Sequence, residues 1–172
     1  MKLYKTLIPL VCCLTAVYLS SSCERDDICA EDTPTTPFLI IKFIDDVTVS
    51  DIKQPVDLEV RSTDPLITST VPDVVSRDSI MIPLRVDSQI TEFEFIINAT
   101  NDDTTLANGD IVSFEYTPVE EYVSSACGFK VNFQGLTSTL TQEEDEGNWI
   151  KRITIEEDNV TNETAAHVFI FH

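Results

Sequence analysis

Glycine, histidine and basic charge are all scarce in this chain: four glycines, two histidines and 11 Lys plus Arg stand against 30 Asp plus Glu in 172 residues. Gly109, Gly128, Gly135 and Gly147 are isolated, so no glycine-rich loop exists to cradle a phosphate. The formal charge of −19 excludes nucleic acid as a partner, because phosphate affinity comes from Lys and Arg releasing counterions. No apolar run approaches the roughly 20 residues of a membrane-spanning helix. The serine-hydrolase elbow, the dinucleotide fingerprint and the zinc-peptidase helix motif are all missing. His167 and His172 are five apart on one expected strand, which turns them to opposite faces and prevents a shared metal. These absences point away from an enzyme, and no catalytic residue, cofactor or metal ligand is expected.

What is present suffices for one domain. Hydrophobic residues make up 42% of the chain, enough to bury a core despite the charge. At the start, Lys2 and Lys5 precede Leu7–Leu19, an uncharged run of 13 residues that fits the apolar core of a secretory signal peptide. Ser20, Ser21 and Ser22 follow, immediately before Cys23. Small residues ending in Cys at this place resemble the lipobox of bacterial lipoproteins, in which the thiol is acylated and becomes the mature N-terminus. The chain departs from that pattern in carrying Ser20 where an aliphatic residue is usual. The plain alternative is ordinary cleavage with Cys23 left as a thiol. The following Glu24-Arg25-Asp26-Asp27 resembles an acidic signal that places some Bacteroidota lipoproteins on the outer surface, against the simpler reading of a solvated tether. Removal of residues 1–22 leaves 9 basic and 30 acidic residues, a charge of −21, so lipid and not a basic patch must hold the protein to a membrane.

Cys12 and Cys13 leave with the signal peptide and Cys23 is claimed by lipid, so Cys29 and Cys127 remain. An even remainder in an exported chain reads as one disulfide. Its rival is a reactive Cys127 with His167 as base.

Residues 30–37 read as a linker, and from Phe38 onward the apolar period is two. Phe38–Ile44 reads as a strand buried on both faces. Val56, Leu58 and Val60 mark a second strand, Ile80 to Val86 a third with Pro83 placing it at a sheet edge or bulge, and Phe93 to Ile97 a fourth. Asn108-Gly109-Asp110 reads as a turn before a fifth at Ile111–Tyr116. In the sixth, Cys127, Phe129, Val131 and Phe133 share one face, which puts the Cys127 sulfur toward the core. Trp149–Ile155 and Ala166–Phe171 complete eight. The expectation is an all-β, antiparallel β-sandwich of Greek-key, immunoglobulin-like outline, with a small antiparallel β-barrel as alternative. The organisation is then signal peptide 1–22, lipidated tether and linker 23–37, and β-sandwich domain 38–172.

The acidic clusters Asp45-Asp46, Asp102-Asp103 and Glu143–Glu146 lack the alternating spacing of a dedicated calcium loop and read as solvated loops. Trp149, Tyr116 and Tyr122 are candidate stacking platforms for a glycan, with core packing the competing reading for Trp149. Together, the signal peptide, Cys23 to Cys29, Ile82-Pro83-Leu84-Arg85 and Tyr122 to Lys130 (YVSSACGFK) resemble an uncharacterised family of small Bacteroidota outer-membrane lipoproteins. That resemblance implies an outer-membrane lipoprotein, at the periplasmic face or the cell surface, and pairing of Cys29 with Cys127; it implies no activity. The functional expectation is a lipid-anchored, non-catalytic interaction or structural module with an envelope protein as partner. The alternative is an accessory domain binding glycan or calcium.

Overall fold

The computed structural model describes residues 28–64, 75–100, 106–142 and 147–172. Within them, alternating side chains build β1 (Leu39–Ile44), β2 (Glu59–Ser62), β3 (Ser79–Ile82), β4 (Ile90–Ile97), β5 (Asn108–Ser124), β6 (Gly128–Leu140), β7 (Arg152–Ile155) and β8 (Val168–Phe171). No α-helix occurs among the described residues. The strands form two four-stranded sheets, ordered β3-β1-β8-β7 and β2-β4-β5-β6. The sheets are open, so the sandwich stands and the barrel does not.

The described chain divides into two units. One joins the residues up to Thr33 with Val123–Gly128; the other comprises Pro34–Tyr122 and Phe129–His172 and holds the core. In this larger unit Leu39, Ile41 and Phe43 of β1 and Val168 and Ile170 of β8 meet Phe93 and Phe95 of β4 and Val112 and Phe114 of β5, all fully or nearly fully buried. Side chains of this size contribute roughly 1.5–3 kcal/mol each on burial, so the two inner faces supply the main folding drive. Phe38–Ile44 is less covered than a strand buried on both faces, because the outward Ile40 and Lys42 are only half-buried. Pro83 follows the last residue of β3, and β3 is indeed an edge strand.

Four features depart from the alternation read in the sequence. β1 and β8 run parallel, with Ile41 opposite Val168 and Ile44 opposite Phe171, while the other registered pairs are antiparallel. Asn108-Gly109-Asp110 is no turn: it opens β5, opposite Ile97, Ile96 and Phe95. The turn reading fails because Asp110, fully buried, accepts the Ile150 N–H at 2.7 Å on Oδ2, a bond that only the tertiary fold supplies. Trp149 and Ile150 precede β7, and both are buried because the Trp149 indole N–H is drawn to the Phe95 carbonyl at 2.9 Å. Val56 is exposed, since Asp57 at φ 45° breaks the alternation that continues with Leu58 and Val60.

Candidate functional site

Cys23, Asp102-Asp103 and Glu143–Glu146 lie outside the described residues. Cys29 and Cys127 are joined by a disulfide with Cα atoms 4.9 Å apart, both within the smaller unit. A cystine sulfur has no thiolate, so Cys127 is not a nucleophile with His167 as base. Nor does Cys127 face the core. It lies half-buried in the turn after β5, its N–H donating to the Ser124 hydroxyl at 3.0 Å. Gly128, at φ +75°, redirects the chain between Cys127 and Phe129, so period-two parity cannot be carried back from Phe133. A second left-handed glycine, Gly135 at φ +67°, sits where the inward side passes from Phe133 to Leu136.

His167 is committed to the fold. Its Nδ1 accepts the Ile40 N–H at 3.1 Å and its Nε2 lies 3.0 Å from the Asn162 carbonyl, which together fix the neutral tautomer protonated on Nε2. Burial lowers its pKa, with the Asn162 carbonyl and the carboxylates of Glu157 and Glu163 acting in the opposite direction. His172 has its Nε2 2.9 Å from the Lys53 carbonyl and its pKa is also lowered by burial. Among the described residues no three His, Cys, Asp or Glu side chains converge as a metal set. Of the three candidate platforms, Trp149 and Tyr116 are buried and Tyr122 is exposed.

A cleft of about 250 Å³ lies between the end of β2 and the β3–β4 connection, lined in part by Asp64, Arg85 and Thr91. Arg85 grips Asp87 with two bonds of 3.0 Å, from Nε and Nη2, and a third, shorter bond reaches Asp64. Asp87 first, then Asp64, raises the Arg85 pKa. Behind it a polar ring closes: the Arg85 N–H donates to Thr91 Oγ1 at 3.0 Å, Thr91 and Tyr116 share a short hydroxyl bond, and the Tyr116 hydroxyl donates to the Arg85 carbonyl at 2.9 Å. Two carboxylates already neutralise the guanidinium, and the hydroxyls serve the backbone. This cleft is a clasp that ties the ends of β2 and β3 to β4 and β5.

The other end of β1 is different. Asp45 Oδ1 accepts the N–H groups of Val47 at 2.8 Å and Thr48 at 3.0 Å, which lowers its pKa, and the Val49 N–H donates to the Asp45 carbonyl at 2.9 Å. This turn holds Val49 at φ 64°, a conformation that costs a β-branched residue of order 1–3 kcal/mol. Val47 is 88% exposed and Val49 55%. Ile52 is exposed beside them, bridged to Ile44 at the end of β1. Lys53 ties the loop down through a 2.8 Å bond to the His172 carbonyl and an ion pair with Asp45. A braced loop thus presents apolar side chains to solvent where burial would be the default.

Sequence reasoning missed this loop because it took Asp45-Asp46 only as a solvated acidic cluster and gave Val47 and Val49 no place. The available signal was Asp45 two and three residues ahead of the N–H groups it caps, an Asx turn. Arg85 was read only as an outward position of the third strand, Ile80 to Val86, and within a resemblance.

No curated protein and no solved structure matches the chain. A sequence profile does match residues 57–172, which carry seven of the eight strands, the Arg85 clasp and Cys127. It describes a family of unknown function, DUF6452, and with most of the sandwich inside the match the chain belongs to that family.

Proposed function

We propose that this protein is a cell-envelope lipoprotein of the outer membrane, acylated at Cys23, and that its sandwich is a non-catalytic module whose braced 45–53 loop contacts an envelope protein. The observation that carries the reading is that loop: Val47, Val49 and Ile52 stand exposed on backbone held rigid by Asp45 and Lys53. Exposed apolar side chains on a preorganised turn bind with little ordering cost. The loop also lies at the end of β1 opposite Leu39, where the chain arrives from the tether. Supporting the anchor are the apolar run Leu7–Leu19, the three serines before Cys23 and the absence of any basic patch to replace a lipid.

A photo-crosslinking amino acid at Val47 in living cells tests the partner. A discrete crosslinked species is expected, lost when Val49 and Ile52 become Asp and absent when the probe stands at Met81 on β3. Uniform or no crosslinking from Val47 would sink the reading. Anchoring is tested separately: Cys23→Ser should move the protein from the detergent phase to the aqueous phase.

A further inference from the structure

In the larger unit Tyr122 and Phe129 flank the turn that joins β5 to β6. Their rings pack edge to face with centroids 5.4 Å apart, yet Tyr122 is 57% and Phe129 64% exposed. Two aromatic rings more than half exposed at a hairpin tip lack the burial that holds Phe114 and Phe133. We infer that this aromatic pair rests in the headgroup region of the phospholipid bilayer to which Cys23 is anchored, and so orients the sandwich on the membrane. The inference rests on the lipoprotein reading above.

The occupant follows from chain length and chemistry. Five residues separate Cys23 from Cys29, and the disulfide transfers the tether to Cys127, two residues before Phe129. At about 3.3–3.6 Å per residue the lipidated end reaches Cys29 within roughly 20 Å. Without the disulfide the leash would run on to Thr36, where the Thr36 hydroxyl receives the Val131 N–H at 2.9 Å, a span of about 45 Å. The disulfide therefore shortens the leash to less than half and ends it two residues along the chain from Phe129. Tyr, with an apolar ring and a polar tip, is characteristic of membrane interfaces, and Phe adds apolar area. Lys130 is paired with Glu121 at 3.3 Å, and the neighbouring Glu120 carboxylate is not repelled by a zwitterionic surface, which carries no net charge. Val47 and Val49, at the opposite end of β1 from the segment that Val131 holds, would then point away from the lipid toward a partner.

The test uses the full acylated protein in phosphatidylcholine vesicles whose acyl chains are brominated near the headgroup. Phe129→Trp, or Tyr122→Trp if the first variant does not fold, supplies the probe; wild type supplies the blank for the buried Trp149. The Phe129→Trp emission should shift to the blue and be quenched, whereas Val47→Trp should keep the emission it has without bromine. An unquenched Phe129→Trp in protein that floats with the vesicles overturns the contact while leaving the anchor intact. Equal quenching at Val47 and Phe129 overturns the orientation. Protein that fails to float overturns the anchor and the contact together.

Discussion

The two halves of β5 hold their shape for different reasons. From Asn108 to Glu115 the strand pairs with β4 at every position, and Asp110, Val112, Phe114 and then Tyr116 point into the core. From Thr117 to Ser124 no β4 partner remains and the side chains are exposed or half-buried. Among the described residues β6 is the strand that accompanies this second half, and Pro118, with no N–H to donate, lies beyond the last β4 pair. An isolated two-stranded ribbon is marginal in water. Burial holds the first half, whereas cross-strand contacts and the cystine in the turn hold the second.

The largest effect should come from the buried half. Phe114→Ala removes a fully buried ring and should cost about 3–5 kcal/mol in urea unfolding. Reducing Cys29–Cys127, which spans 98 residues, should cost about 2–4 kcal/mol and raise amide exchange at 117–131 before 108–116. Uniform exchange along β5 would break the distinction. Asp110→Ala strips the Ile150 N–H of its acceptor and should cost about 1–3 kcal/mol, read as a lower urea midpoint.

A pH series probes the other sheet, where His167 joins β1 to the start of β8. The folded pKa of His167 lies below its ordinary value, so between the two the unfolded chain binds the extra proton and the native chain does not. Its contribution to stability is complete above the ordinary histidine pKa of about 6.5 and fades as the pH falls from there toward the depressed native value. His167→Gln should flatten that part of the profile, with His172 supplying what remains, since its pKa is lowered too. Smallest is Phe129→Ser, which loses one edge-to-face contact of about 0.5–1.5 kcal/mol and little burial. A cost approaching that of Phe114→Ala would show that the aromatic pair is core in disguise.

Strands whose one face is fully buried were legible, because a period of two is the direct imprint of burial on a pleated backbone. Leu39, Ile41 and Phe43, or Phe93 and Phe95, needed no partner to be recognised. Legibility failed where the backbone left the pleat. Gly128 and Gly135, both at positive φ, reset the parity of β6, and a run such as Cys127 to Phe133 carries no mark of the reset. Asn108-Gly109-Asp110 has the composition of a turn, and its place inside β5 depends on an N–H forty residues away.

By itself the sequence determined that the chain is all-β, that it contains a sizeable apolar core, that its charge is strongly acidic and that Pro83 belongs at a sheet edge or a bulge. Each follows from properties of single residues or near neighbours: period, apolar content, charge and a missing donor. Only the tertiary structure decided that β8 lies parallel to β1, that Asp110 and His167 are buried against backbone groups, that Tyr116 belongs to the Arg85 clasp, and that Val47 and Phe129 face solvent. Those outcomes depend on which distant backbone donors and acceptors come within hydrogen-bonding reach, and such reach is a property of the assembled sheets and not of any local stretch of chain.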